Sequence, residues 1–271
     1  MKIFKDKQTL QNELFHNKDI SFIPTMGGLH KGHISLIRKS KKFKLKTLVS
    51  IYVNPYQFNE KKDFNSYPKS KREDLKILKK LKVDYLFMPS FKDMYGFNTK
   101  NKIYLDKSSK KLCGRFRKGH FEGVLNVVNR FLEIVKPKYI FMGEKDYQQL
   151  YLVKKHILKR KIKSKLIPCK TIREKSGLVC SSRNFNLKKK DTKIASNIYK
   201  YLIKYKRKIK KKINIFDEKE LKKKIIDLGA SKIDYIKCYN LKDLKEVKKR
   251  NKNFNLFTAY YLKNVRLIDN L

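Results

Sequence analysis

Cysteine is scarce in this 271-residue chain, and tryptophan is absent. The four cysteines are far apart, at positions 113, 169, 180 and 238, with no Cys-x-x-Cys pair. This pattern supports neither a disulfide framework nor a zinc site, so we expect a reducing, cytoplasmic environment.

Long hydrophobic runs are also missing. The first residues carry scattered charges and no apolar core of signal-peptide length, and no window approaches the length of a membrane span. Hydrophobic residues nevertheless make up 41% of the chain, which is enough to bury a core. We expect a soluble protein with one large domain or two modest ones and no membrane partner.

Acidic residues are few: 24, against 70 lysines and arginines, which leaves a net charge of +46. Such a balance ordinarily indicates nucleic acid or an anionic membrane as the partner. Here the excess is mainly lysine spread along the whole chain, in a sequence also rich in Ile, Asn, Tyr and Phe. All these residues have A/T-rich codons, so genome composition accounts for the charge, and we expect no specific nucleic acid. Non-specific binding at low salt is expected in either case.

The first two thirds of the chain alternate between strand-like and helix-like segments. Strands are predicted at residues 20–25, 47–53, 83–88, 139–142 and 165–169. Helices are predicted at residues 34–44, 69–81, 124–135 and 148–160. This alternation predicts an α/β fold with a mostly parallel sheet covered on both sides, in which ligands bind beyond the carboxyl ends of the strands.

The last third has a different texture. Two helices are predicted at residues 187–210 and 217–228, followed by strands at residues 233–238, 254–262 and 265–268. We therefore divide the chain into an α/β domain, residues 1–175, and a smaller α+β domain, residues 176–271. The lysine run at 206–212 is interleaved with Ile and Tyr nearby, which favours a solvated helix face over a nucleic-acid patch.

Residues 24–33 read Pro-Thr-Met-Gly-Gly-Leu-His-Lys-Gly-His and follow the first of these predicted strands. Gly27 and Gly28 let the backbone approach a ligand, and the N–H groups of a helix start attract phosphate. His30 and His33 share one face of a helix, where neutral rings can donate to phosphate oxygens. A simple turn with unrelated histidines is the ordinary alternative, but the combination favours a nucleotide site.

Three further segments carry groups suited to a phosphate or a polar substrate. Gln57 follows the strand at 47–53, where its amide can donate and accept, and Lys145 follows a glycine-initiated turn at 143. Ser181, Ser182 and Arg183 place two hydroxyls and a guanidinium on one loop, which suits a phosphate clamp or, equally, a helix cap.

These motifs resemble, in order and spacing, the pantoate–β-alanine ligases (pantothenate synthetases). The resemblance rests on residues 26–33, 49–58, 119–124, 143–150 and 181–184 and covers about residues 1 to 190. That family belongs to the cytidylyltransferase-like nucleotidyltransferases, whose Rossmann-like domain carries a His-x-Gly-His signature. The resemblance implies ATP-dependent condensation of pantoate with β-alanine through an enzyme-bound pantoyl adenylate, with AMP and pyrophosphate as products.

The resemblance also implies a role for each matched residue. The implied catalytic groups are His30, His33 and Lys145, with His33 as the proton donor. The implied ATP-binding set is Met26, Gly27, Gly28, Leu29, His30, Lys31, Gly32, His33, Gly143, Glu144, Lys145, Asp146, Ile172, Cys180, Ser181, Ser182 and Arg183. Gln57 and Gln149 would hold pantoate and β-alanine. Mg²⁺ would bridge phosphate oxygens with few protein ligands, of which Asp84 is a candidate.

The implied partners are the small molecules ATP, pantoate and β-alanine, together with a second copy of the chain in a homodimer. The smaller domain would act as a lid over the site. Two other interpretations stay open at this point: a basic nucleic-acid-binding protein on an inherited fold, and an adenylating enzyme with the same histidine signature and another acid.

Overall fold

The computed structural model describes residues 1–17, 19–59, 61–68, 70–212, 215–247 and 253–271. The chain forms two compact units. The first contains Met1–Ser109 and Arg117–Thr171, and the second contains Lys110–Phe116 and Ile172–Leu271. Among the helices in these ranges, none has the length and apolar character of a membrane span.

The first unit is built on a parallel sheet, which confirms the α/β prediction. Within the described residues its six strands lie in the order β1-β4-β3-β2-β5-β6, and each neighbouring pair is parallel. The strands are β1 (Lys2–Phe4), β2 (Ile20–Thr25), β3 (Lys46–Ile51), β4 (Tyr85–Phe87), β5 (Tyr139–Gly143) and β6 (Lys165–Cys169). β2 is central: the chain proceeds from it to β3 and β4 on one side and to β5 and β6 on the other. The crevice beyond the carboxyl ends of β2 and β5 is where such sheets bind ligands.

Helices connect these strands. They are α1 (Lys7–His16), α2 (Lys31–Lys41), α3 (Lys61–Asn65), α4 (Lys71–Lys80), α5 (Phe91–Tyr95), α7 (His120–Val135) and α8 (Tyr147–Lys159). The predicted helix at 69–81 corresponds to α4, although Lys69 lies outside the described residues. β1 and α1 were not predicted, because β1 has three residues and α1 buries only Leu10 and Leu14. The core includes fully buried Phe22, Leu86 and Phe141.

The second unit is α+β. It contains α6 (Leu112–Phe116), α9 (Lys189–Lys211), α10 (Glu218–Asp227) and the antiparallel strands β7 (Lys232–Asn240), β8 (Phe254–Leu262) and β9 (Val265–Asn270). The predicted boundary at residue 175 lies four residues past the observed one, and the segment Lys110–Phe116 was not foreseen as part of this unit. Its side chains explain the assignment: Lys111 Nζ donates to the Leu244 carbonyl at 3.0 Å, and Cys113 Sγ lies 3.0 Å from Tyr235 Oη.

A buried histidine makes the first unit sensitive to acid. His156 on α8 is fully buried; its Nδ1 accepts from Tyr104 N at 3.1 Å, and its Nε2 lies 3.1 Å from Asn129 Oδ1. Burial, with a further contribution from positive Arg160, lowers the pKa of His156 from 6.5 to about 4. The unfolded chain therefore binds the extra proton more readily, and stability is lost as pH falls from 6.5 toward 4.

We expect His156 to contribute a loss of about 2 kcal/mol in unfolding free energy between about pH 7.5 and pH 5. Urea titrations at several pH values measure this loss. His156→Gln should lower the unfolding free energy at neutral pH, but the unfolding free energy of this variant should fall less steeply with acid than that of the parent chain. The same substitution at exposed His16 should leave the dependence of the unfolding free energy on pH unchanged. Equal slopes for His156→Gln and the parent chain would contradict this explanation.

Candidate active site

The loop after β2 is held by a carboxylate of the protein itself. Asp74 on α4 is 1% exposed, and its two oxygens accept from Gly28 N at 2.9 Å and Leu29 N at 2.8 Å. Gly27 N donates to Thr25 Oγ1 at 3.2 Å, and both glycines adopt left-handed backbone angles, φ +78° and +60°. The backbone N–H groups of Gly28 and Leu29 are therefore bound to Asp74 in this structure.

The two histidines form a reciprocal cap at the start of α2. His30 is the N-cap residue, and its Nδ1 accepts from Gly32 N at 3.1 Å. His33 Nδ1 accepts from His30 N at 3.4 Å, and the ring centroids are 4.1 Å apart. The spacing predicts that the two rings share one face of a helix. They meet instead through a capping box, because His30 is the N-cap residue and lies just before the helix.

This cap fixes the chemistry of both rings. Because each Nδ1 accepts a backbone N–H, the neutral form of each ring carries its proton on Nε2. Desolvation, followed by the adjacent His30, lowers the pKa of His33 from 6.5 to about 3. At neutral pH His33 is therefore an uncharged hydrogen-bond donor through Nε2.

We expect the imidazole of His33 to stay neutral from about pH 8 down to about pH 4, since its pKa lies near 3. The ¹⁵N chemical shifts of the assigned ring, followed by NMR across this range, measure it directly. A blocked histidine peptide, which titrates at its ordinary pKa, is the reference. A transition of His33 near pH 6.5 would contradict the assignment.

Loops from three strands converge on this edge of the sheet. Gln57, after β3, places Nε2 2.7 Å from Sδ of Met26, after β2. On the other side, Lys145 and Asp146, after β5, act electrostatically on the His33 ring. Lys145 Nζ also donates to Asp146 Oδ1 at 3.3 Å. The crevice therefore gathers an amide, two imidazoles and an ammonium group, which are the donors that a phosphate or a carboxylate needs.

Both the backbone carbonyl and the side chain of Gln57 are held by hydrogen bonds. Arg117 donates to the Gln57 carbonyl at 3.1 Å and to His120 Nε2 at 2.9 Å. His120 therefore carries its proton on Nδ1 and donates to the same carbonyl at 2.7 Å. Buried Asn54 donates to Gln57 Oε1 at 3.4 Å and to the Gly123 carbonyl at 3.1 Å.

Apart from Asp84, the remaining predicted residues of the first unit lie on the same loops or in the first turns of the helices that follow them. Gly143 ends β5, and Glu144 begins the short 3₁₀ turn that leads into α8. Gln149 is half-buried in the first turn of α8, while its neighbour Gln148 is buried and donates to the Ser108 carbonyl at 2.9 Å. Lys31 is exposed at the first position of α2.

Ile172 and residues 180–183 belong to the second unit. Cys180 N donates to the Ile172 carbonyl at 3.0 Å, so the chain turns back and sets these two residues side by side. Ser181 caps a short 3₁₀ helix, since its Oγ accepts from Arg183 N at 3.3 Å, and Ser182 is buried. Ser181 thus has the capping role that the sequence left open beside the phosphate clamp.

Asp84, the predicted Mg²⁺ ligand, lies away from these loops. It precedes β4 at the amino end of the sheet, where its carboxylate accepts from Thr47 N at 2.9 Å. Lys41 and Lys46 lie 3.3 and 3.6 Å from the same carboxylate. Asp84 therefore lies at the amino edge of the sheet, opposite the loops that follow β2, β3 and β5. In the described ranges no cluster of three His, Cys, Asp or Glu side chains could hold a metal ion.

Several residues that organise this edge were missed by sequence reasoning. Asp74 shares the buried face of α4 with Leu78, one helical turn away, and a lone acid on an apolar face was the signal. Arg117 and His120 lie beside or within a motif that supported the family resemblance, but no role was attached to them. Their partner is a backbone carbonyl, which a side-chain pattern does not reveal.

The parallel sheet, its central crevice and the capped histidine pair are typical of an α/β enzyme of the nucleotide-binding class. The family model for pantoate-beta-alanine ligase matches residues 2–271. A pantothenate synthetase from Francisella tularensis subsp. mediasiatica is 40% identical over 267 residues, which cover 98% of this chain and 94% of the relative. The chain belongs to the pantoate-beta-alanine ligase family and is a ligase.

Solved structures agree with this assignment. A crystal structure of the Francisella tularensis pantoate-beta-alanine ligase, complexed with beta-gamma ATP and beta-alanine, has a TM-score of 0.85 and 38% identity, covering 100% of this chain and 97% of that one. A pantothenate synthetase from Thermus thermophilus has a TM-score of 0.89 and 29% identity, covering 100% and 99%.

Proposed function

We propose that this chain condenses pantoate with β-alanine at the expense of ATP. A carboxylate oxygen of pantoate attacks the α-phosphorus; the bond to the β-phosphate breaks, and pyrophosphate leaves. The amine of β-alanine then attacks the carbonyl carbon of pantoyl adenylate, loses a proton, and displaces AMP. Family membership over residues 2–271 supports the substrates.

The observation that carries the chemistry is the histidine pair. His30 and His33 each use Nδ1 to accept a backbone N–H, which places the proton of each neutral ring on Nε2. Negative charge gathers on the α-phosphoryl oxygens during the displacement, so fixed donors stabilise this stage most. Lys145, on the facing loop, adds a positive charge suited to the triphosphate. A bound triphosphate also raises the pKa of His33, which brings it closer to a proton-donating role.

Substrate selection would rest on two glutamines. Arg117 and His120 hold the backbone carbonyl of Gln57, so its side-chain amide is preorganised to hold pantoate. Gln149, in the first turn of α8, would complete the grip on pantoate or β-alanine. The other predicted residues of the segments 26–33 and 143–146 would line the nucleotide. Ile172 and residues 180–183, in the second unit, stay predicted members of the ATP-binding set.

Three further features belong to the proposal. Mg²⁺ would arrive with the triphosphate and be bound mainly by phosphate oxygens, because the described residues offer no three-ligand cluster. The active form would be a homodimer in the cytoplasm. The net charge of +46 would not be used to bind a specific nucleic acid. The affinity for nucleic acid should therefore be purely electrostatic and fall steeply with added salt.

The test is a set of omission reactions with purified protein. AMP and pyrophosphate should form only when pantoate is present, and pantothenate should form only when β-alanine is added. A panel of other carboxylic acids in a pyrophosphate-exchange assay tests the choice of acid. ATP turnover that ignores pantoate would refute the proposed function, and light scattering tests the homodimer.

A further inference from the structure

A buried carboxylate holds the loop between β2 and α2, residues 26–30, which we call the histidine loop. Asp74 joins helix α4 to the loop after β2 through bonds of 2.9 and 2.8 Å to Gly28 N and Leu29 N. These two residues immediately precede His30, the N-cap of α2. The carboxylate therefore anchors the loop directly before the histidine pair.

The surroundings of Asp74 are shaped for a carboxylate. The two N–H groups require two acceptors, which a carboxylate provides, whereas an amide would place an N–H₂ group against one of them. A third donor, Ser70 Oγ, lies 3.3 Å from Oδ1 of the same group. A Cβ on Gly27 would sit 3.0 Å from Asp74 Oδ2, so the glycine loop and the acid fit each other closely.

We propose that Asp74 is a positioning residue for adenylate formation. By fixing Gly28 and Leu29 it sets where α2 begins, and thereby where His30 and His33 direct their Nε2–H groups. Charge-assisted bonds to buried N–H groups are strong, so the loop keeps one conformation before ATP arrives. Asp74 touches no substrate in this scheme. The inference rests on the proposed function, because it assigns the histidines to the α-phosphate.

A positioning role makes a different prediction from a purely structural one. Displacing the donors weakens the transition state more than it weakens the binding of pantoate, since the backbone of Gln57 is held separately by Arg117 and His120. The kcat for adenylation should therefore fall while the KM for pantoate stays constant. A structural role would lower Tm and leave kcat of the folded enzyme intact.

The experiment compares Asp74→Asn with two matched variants of the same helix. Glu73→Gln removes an exposed carboxylate that pairs with Lys76, and Leu78→Ala removes fully buried apolar volume. Pantoate-dependent pyrophosphate exchange gives kcat and KM, and thermal unfolding gives Tm. For Asp74→Asn we expect kcat to fall by about 10- to 100-fold with the KM for pantoate within about twofold. Leu78→Ala should lower Tm with kcat retained, and Glu73→Gln should match the parent chain in both.

A second readout follows the rings themselves. In Asp74→Asn the ¹⁵N shifts of His30 and His33 should move toward a mixture of tautomers, as their Nδ1 bonds loosen. Retained kcat with a lowered Tm would overturn the inference. If Asp74→Asn does not fold, Ser70→Ala takes its place, with an expected fall in kcat of about threefold, and a kcat equal to the parent would overturn it. A parent chain without pantoate-dependent exchange would instead refute the proposed function.

Discussion

Replacing His33 with alanine lowers the rate of pantoyl adenylate formation by about 10²- to 10³-fold, the usual loss for one donor to a charge that develops in the transition state. The reason is the fixed direction of its Nε2–H group, which follows from the bond between His33 Nδ1 and His30 N. Because the ring is neutral, with a pKa of about 3, the effect should persist across the physiological pH range.

Pyrophosphate exchange in the presence of pantoate measures this rate. His16→Ala, at an exposed histidine outside the site, is the matched control and should keep full activity. His33→Gln keeps an N–H donor at similar reach, so it should lose less activity than His33→Ala. An unchanged rate in His33→Ala would refute the role of this residue.

Gly123→Ala should strongly destabilise the first unit, because there is no room for a Cβ at this position. An added Cβ would overlap the carbonyl oxygen of Tyr56 and lie 2.9 Å from Gln57 N, both of them backbone atoms that cannot rotate away. Helix α7 would be pushed from the segment that carries Gln57, and the bond of 3.1 Å from Asn54 to the Gly123 carbonyl would be strained. We expect a loss of about 3 kcal/mol in unfolding free energy, the upper end for overpacking, despite the better helix propensity of alanine.

Displacement of Gln57 should also weaken pantoate binding, so the KM for pantoate should rise by about tenfold in Gly123→Ala. Urea unfolding and steady-state kinetics measure the two effects. Glu122→Ala, the exposed neighbour on the same helix, is the control and should leave both values near those of the parent. Parent-like stability in Gly123→Ala would contradict the close approach of α7.

The sheet was predictable because its signals are local. The strands Ile20–Thr25 and Lys165–Cys169 appear in the sequence as short, mostly apolar runs between helices, and both bounds agree with the prediction. The start of α2 was placed three residues late, at Ile34 instead of Lys31, because the cap there is made by a histidine rather than by Ser, Thr, Asp or Asn. Residues Lys110–Phe116 belong to the second unit because they contact residues more than a hundred positions away along the chain. No local sequence pattern encodes such contacts.

The sequence pointed to candidate side chains for the site but not to the residues that hold them in place. His30, His33, Gln57 and Lys145 follow predicted strands, and parallel strands bring such loops to one edge. The role of Asp74 could not be read, since its partners are the backbone N–H groups of Gly28 and Leu29, 46 and 45 positions away. Asp84 was chosen for its residue type, which suits a metal, but its position before a strand places it at the amino edge of the sheet, away from His30 and His33.

The central place of β2 has a consequence for how the protein opens. β2 is paired along both sides, with β3 and β5, and its Ile20, Phe22 and Ile23 are fully buried. Amide groups of such a strand exchange with solvent only when most of the unit unfolds, whereas edge strands and surface helices fray at lower cost. Residues 26–30, which carry His30, are thus continuous with the part of the sheet that we expect to open last, so local fluctuations at the periphery should leave His30 and His33 in place.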